Sequence, residues 1–221
     1  MPKICIMIPA KNEVETIGHV LKAIPRMSNC DVIVVDGDST DGTVEESIKH
    51  GVTVIVGKGL GKGFDVRIAL ELLKPDYLYM LDADGTYDPV NILAMHYLLS
   101  RDFCDVMIGS RINRMLEKGA MSYRNIFGNV MLTLLANILY KERTSDLCTG
   151  LWGFNRKALD CIKLTADGFD IEANLFTEIN RNKLKLRAIP IAYRGRGGTK
   201  PKLKMSDGFV IAKRLITERF K

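Results

Sequence analysis

Two aspartates separated by one residue, Asp82 and Asp84, carry the plainest chemistry in this 221-residue chain. They lie in the segment MLDADGTYDP, Met80 to Pro89, behind an apolar run beginning at Asp76 that reads as a strand. Along a strand, residues two apart share a face, so both carboxylates are expected to turn toward one ligand. Hard oxygen donors suit Mg²⁺ or Mn²⁺, which take one or two carboxylates and complete their shell with water and substrate phosphates. Asp, Gly and Pro also build solvated turns, so the reading depends on the rest of the chain.

The elements that must position these groups alternate. Strands are expected at Lys3 to Pro9, Asp31 to Asp36, Val52 to Val56 and the run ending at Asp82; helices at Glu13 to Ile24, Thr43 to His50 and Gly63 to Leu73. Asp88 and Pro89 provide the cap and first-turn proline of a further helix. This order implies an α/β fold with a Rossmann-like, mostly parallel central sheet, helices on both faces, and ligands beyond the carboxyl ends of the strands. Each of those ends is polar: Lys11-Asn12-Glu13, Asp36-Gly37-Asp38, Lys58 to Lys62 within glycines, and Asp82-Ala83-Asp84. The second half is less regular. It holds strands near Asp105 to Gly109, Leu151 to Asn155 and Leu186 to Ile191, and helices near Asp170 to Asn180 and Asp207 to Phe220. A long apolar segment runs from Tyr123 to Tyr140.

With 47% hydrophobic and 26% charged residues, the chain is composed as a globular protein and not a disordered one. Five cysteines without a C-x-x-C pair argue for reduced thiols in a cytosolic setting and against a zinc knuckle. The start is too short before its first strand for a signal peptide. The net charge of +6 suits anionic partners. Basic residues gather after Tyr193, opposed there by Asp207 and Glu218 alone, and lack the interleaved aromatics of a nucleic-acid surface.

The glycine-rich loop is neither familiar phosphate loop. No G-x-G-x-x-G follows the first strand, and Lys62 precedes Gly63 instead of Ser or Thr. The glycines permit a tight loop, and Lys58 and Lys62 could approach a diphosphate. In order, IPAKNE (8–13), VVDGDSTDGT (34–43), GLGKG (59–63), LDADGTYDP (81–89), GSR (109–111), DLCTGLWGF (146–154), FDIE (169–172) and RGGTK (196–200) span nearly the whole chain. Together they resemble the family 2 glycosyltransferases with the glycosyltransferase A fold, especially the polyprenyl-phosphate glycosyltransferases typified by dolichyl-phosphate mannose synthase.

That resemblance implies one catalytic domain, with a nucleotide-sugar half over 1–109 and an acceptor half over 110–221. It places Pro9, Ala10, Asn12 and Glu13 near the nucleotide, Asp36 and Asp38 on its base and ribose, and Lys62 in the loop over the donor. Asp82, Ala83 and Asp84 fall at the donor diphosphate. Asp82 and Asp84 become ligands of Mg²⁺ or Mn²⁺, and Thr86, where the family often has glutamine, a poorer third. The DGT form of the motif leans toward a UDP-sugar over GDP-mannose.

An inverting transfer to a hydroxyl needs a carboxylate base, and no E-D pair stands at DLCTG. A phosphate acceptor removes the need, because its second pKa is about 6. Arginines can clamp a phosphate bidentately, and the resemblance places Arg111, Arg124 and Arg196, with Lys200 assisting, where they would clamp a polyprenyl or dolichyl phosphate. Asp84, Arg111 and Lys62 would carry the catalysis, and Asp146 and Glu172 would support it. Such an enzyme would sit peripherally on the cytoplasmic face of a membrane, alone, as a homo-oligomer or beside a membrane protein. Ile126, Val130, Leu134 and Ile138 recur every four residues, as in a helix lying in an interface or packed on a core. A soluble acceptor and a metal-dependent nucleotidyltransferase are the alternatives.

Overall fold

The computed structural model describes all residues except 113–115, 118, 198–201 and 203. The first strand, β1 (Ile4–Ala10), shows how the sheet is built. Ile4, Ile6 and Ile8 enter a core on one face, while Cys5 and Met7 enter a second core on the other. Burial on both faces turns the period-2 alternation into a continuous apolar run.

The chain continues through α1 (Val14–Ala23), β2 (Cys30–Asp36), α2 (Thr43–Lys49), β3 (Thr53–Val56), α3 (Lys62–Leu72), β4 (Tyr77–Met80), α4 (Asn91–Leu99) and β5 (Val106–Ser110). The second half supplies α5 (Tyr123–Tyr140), β6 (Trp152–Asn155), α6 (Arg156–Cys161), α7 (Ile171–Arg181), β7 (Leu186–Pro190) and α8 (Met205–Arg219). The expected elements all form, with ends shifted by one to three residues, and α6 is an addition. Its cap is Asn155, whose side chain accepts from the Ala158 amide at 2.9 Å.

One seven-stranded sheet in the order β3-β2-β1-β4-β6-β5-β7 runs through both halves. β6 lies antiparallel to β4 and β5, while the remaining pairings are parallel. The reversal positions the site: the lead-in to β6, carrying Asp146 to Gly150, arrives at the edge where the parallel strands end. A third core, around Ala136, Phe176, Ile211 and Leu215, joins α5, α7 and α8.

Candidate active site

Asp82 and Asp84 lie beyond β4, which ends at Met80. Strand alternation therefore does not orient them; a turn does. Gly85 adopts φ 75°, and the amide and hydroxyl of Thr86 donate to Asp84 Oδ1 at 3.1 and 2.6 Å. Thr86, expected as a weak metal ligand, thus spends its hydroxyl on holding Asp84. The two carboxylates still feel each other. Burial, and after it the charge of Asp82, raises the Asp84 carboxyl above its ordinary range, against the opposing pull of Arg196.

Cations inside the protein answer these carboxylates. Lys62, on the first turn of α3, places Nζ 2.8 Å from Asp82 Oδ1 and 2.8 Å from Glu172 Oε1 on α7. Burial works against the ammonium, but Asp82 and Glu172 outweigh it and hold the lysine above its usual range. Burial also raises the Glu172 carboxyl, with Lys62 opposing. Arg196, six residues past β7, donates to Asp84 Oδ2 and lies 3.4 Å from Glu13 Oε1. Lys202 pairs with the same Glu13 oxygen and donates to the Lys11 carbonyl. Lys202 was legible only as one member of a basic run.

The donor set fits a divalent cation: two neighbouring carboxylates, one strained by burial beside the other, of the hard-oxygen chemistry that Mg²⁺ and Mn²⁺ take. Among the described residues no group of three or more His, Cys, Asp or Glu could hold a metal ion. The remaining positions would fall to water and ligand phosphates. Gly150 keeps the carboxylate seated, because a Cβ there would run into Asp82 Oδ2. Its amide donates to Tyr87 Oη at 2.6 Å. The motif DLCTG pointed to this region but not to that close approach.

The other loops interlock. The Gly37 amide donates to the Ala10 carbonyl at 2.8 Å, which fixes the end of β1, with Pro9 in register with Val35, against the end of β2. Asn12, at φ 49°, receives the Thr40 amide on Oδ1 and donates its own amide to Ser39 Oγ. The Glu13 amide donates to Thr43 Oγ1, and the Ala83 carbonyl accepts from Thr16 Oγ1. Asp36 is fully buried; its Oδ2 takes the Ser39 amide at 2.8 Å, while Oδ1 has no hydrogen-bond partner among the described residues. An orphaned buried acceptor costs stability unless a ligand donor meets it. Asp38 sits at φ 62°, and Gly59 comes so close that a Cβ there would stand 2.9 Å from Asp38 Cβ.

Of the expected phosphate clamp, Arg196 reaches the centre and Arg111 does not stand free. Arg111 is buried and forks onto Asp146, Nε to Oδ2 and Nη2 to Oδ1, both at 2.8 Å, and Nη2 also donates to the Cys148 carbonyl. Asn129 adds a bond to Asp146 at 2.7 Å. With its fork on Asp146, Arg111 braces the lead-in to β6. Arg124 lies exposed on the first turn of α5, and Lys200 lies outside the described residues.

One seven-stranded, mostly parallel sheet combined with helices in this order has the glycosyltransferase A fold. The structure of glucosyl-3-phosphoglycerate synthase from Mycobacterium tuberculosis in complex with Mn²⁺, UDP and glucosyl-3-phosphoglycerate matches with a TM-score of 0.74. The match covers 98% of this chain and 78% of that one at 19% identity, a likeness of fold. Residues 5–163 match the family model "Glycosyl transferase family 2", and the chain belongs to that family. Glycosyltransferase AglJ of Haloferax volcanii is 35% identical over 191 residues, or 86% of this chain, which spans 62% of the length of AglJ. The dolichyl-phosphate hexose transferase of the same organism is 30% identical over 217 residues, 96% of this chain and 92% of that protein. The UDP-N-acetylglucosamine–dolichyl-phosphate N-acetylglucosaminyltransferase of Methanococcus voltae is 26% identical over 218 residues, 85% and 84% of the two chains.

Proposed function

We propose that the protein transfers a sugar from a nucleotide sugar, a UDP-sugar in preference to GDP-mannose, to a polyprenyl or dolichyl phosphate with inversion at C1. The observation that carries this reading is the charge layout at one sheet edge, where Lys62 bridges Asp82 and Glu172 beside Arg196 on Asp84 and Glu13. Relatives that match most of the chain and are named for dolichyl phosphate support the acceptor class.

The loops at 10–13 and 36–39 would seat the nucleoside, with Asp36 Oδ1 taking a donor from it. Asp82 and Asp84 would hold Mg²⁺ or Mn²⁺, which supplies positive charge to the leaving diphosphate. Lys62 stands beside the same carboxylate and would add its own charge there. An acceptor phosphate oxygen forms the new bond to C1 as the bond from C1 to the donor's β-phosphate oxygen breaks, and the nucleoside diphosphate leaves with that electron pair. Since the acceptor arrives as an anion, no protein base is needed. Arg196 is the described cation best placed to receive it. Among the described residues no helix is long and apolar enough to cross a membrane. The proposal places the enzyme peripherally at the cytoplasmic face.

A panel of UDP- and GDP-sugars with Mn²⁺ or Mg²⁺, with and without a short polyprenyl phosphate, tests this by nucleoside diphosphate release. Release that requires one donor and the lipid phosphate is expected. Equal release without lipid phosphate would transfer the acceptor to solution, and pyrophosphate release from a nucleoside triphosphate would make the enzyme a nucleotidyltransferase.

A further inference from the structure

The glycines on either side of Lys62 let two chain segments touch. Gly61, at φ 140°, lies against the Asp167 carbonyl and Gly63 against the Ala166 carbonyl, so close that a Cβ at either position would run into that oxygen. The Phe64 amide donates to the Asp167 carbonyl at 3.0 Å, and Arg67 pairs with the Asp167 carboxylate at 2.7 Å. Helix α7 holds the touched segment in turn, because Asn174 Oδ1 accepts the Thr165 and Ala166 amides at 2.7 and 3.0 Å. Lys62 is thus tied to α7 twice. Its backbone is fixed through this run of contacts, and its ammonium meets Glu172 Oε1 at 2.8 Å. The two side chains are 14% and 10% exposed. An ion pair in so dry a place gains little stability, since desolvation offsets much of the attraction; what this one secures is direction.

We infer that Glu172 is a positioning residue that acts through Lys62, keeping the ammonium at the donor diphosphate. This role rests on the donor site proposed above and deepens it. Lys62 has two carboxylate partners, Asp82 and Glu172, and Asp82 is the one shared with the cation and the diphosphate. A cation on Asp82 repels the ammonium. Among the described residues, Glu172 is then the carboxylate partner that still holds it, from a helix outside the D-x-D turn. Released from that anchor, a strongly hydrated ammonium on a flexible four-carbon stem turns to water. Gly61 and Gly63 serve the same end, since they set the lysine backbone at contact distance from the segment that leads into α7.

Titration calorimetry of UDP and GDP in Mn²⁺, with no acceptor present, tests this on the native protein, Glu172→Ala, Lys62→Gln and the double variant. Saturation-transfer NMR follows uridine and guanosine, which carry no phosphate. Lys62→Gln is expected to weaken diphosphate binding about tenfold or more, the loss of one charge-assisted hydrogen bond, and Glu172→Ala nearly as much. A carboxylate merely near the diphosphate would repel it, so its removal would tighten binding; weakening is the mark of an anchor. Glu172→Gln, which keeps an acceptor oxygen, should recover part of the loss. The double variant should bind no worse than Lys62→Gln, because a residue acting through Lys62 adds nothing once the ammonium is gone. Nucleoside binding should be the same in every variant. Glu172→Ala leaves Lys62 paired with Asp82 and should fold, so its contrast between diphosphate and nucleoside decides even if Lys62→Gln does not fold. Losses that add, nucleoside binding lost in step with diphosphate, or diphosphate affinity in Glu172→Ala at or above the native value would overturn the role of Glu172 and leave the donor site standing. Native protein that binds neither diphosphate would overturn both.

Discussion

Arg196 and Asp84 are 112 residues apart in sequence, yet the guanidinium donates to the carboxylate of the acidic motif. The same arginine reaches Glu13 at 3.4 Å, so one side chain ties the segment after β7 to the loops after β1 and β4. A cation bound at Asp82 and Asp84 must compete with it. Arg196→Ala is therefore expected to tighten Mn²⁺ binding without nucleotide by about tenfold, the worth of one charge-assisted hydrogen bond, while lowering turnover. Electron paramagnetic resonance of free Mn²⁺ measures the first effect, and unchanged or weaker binding would show that the arginine does not occupy the metal's place. Asp84→Ala is expected to abolish both.

Gly150→Ala should cripple the enzyme without unfolding it. The new methyl group meets Asp82 Oδ2, so the carboxylate must rotate away from its seat. A displacement of that size costs roughly 100-fold in rate, and kcat should fall while circular dichroism stays native. Gly128→Ala is the control. It lies within α5 with nothing near its added Cβ, and should stabilise the protein by about 0.5–1 kcal/mol in urea unfolding.

Asp146→Ala is expected to act on stability first. Arg111 would remain buried with its charge unmatched, and breaking a buried pair from one side costs about 3–5 kcal/mol. Denaturant unfolding measures this. A loss of acceptor affinity with stability intact would instead favour a phosphate-binding role for Arg111.

Much of this could be read before the structure. The alternation of strand and helix signals and the polar residues closing each strand define the parallel half, and the apolar segment from Tyr123 to Tyr140 gives the bounds of α5. What escaped has physical causes. Four residues of β6 contain no signal of direction, and that direction decides that Gly150 meets Asp82. Apolar spacing in α5 gives a helix but not its inward face, which a hydrogen-bond network with Asp146, Thr144 and Leu147 settles. The D-x-D carboxylates face their neighbours through a turn instead of strand alternation, and the partners Arg196 and Lys202 arrive from the far end of the chain.

Thiol chemistry should follow burial. Burial pushes the Cys5 and Cys148 thiols up to about 12 and those of Cys30 and Cys104 to about 11, from 9.0. At pH 8 only about one in a thousand or fewer of these groups is thiolate, so an aromatic disulfide reagent should label them slowly until the protein unfolds. Because the folded values lie above the unfolded ones, the stability they confer is complete below pH 9 and lost as pH rises through 11 to 12. Urea midpoints should decline across that window. Rapid labelling of all five cysteines in the native state at pH 8 would contradict the burial described.

The most direct test of the proposed activity offers two acceptors in one tube. The protein, Mn²⁺ and a UDP-sugar labelled in its sugar are incubated with a short polyprenyl phosphate and 3-phosphoglycerate together, and the label is followed on solvent extraction. Label is expected in the organic phase as a lipid-phosphate sugar of inverted anomeric configuration, dependent on Asp84. Label confined to an aqueous phosphoglycerate product, with the lipid phosphate untouched, would contradict the acceptor assigned here.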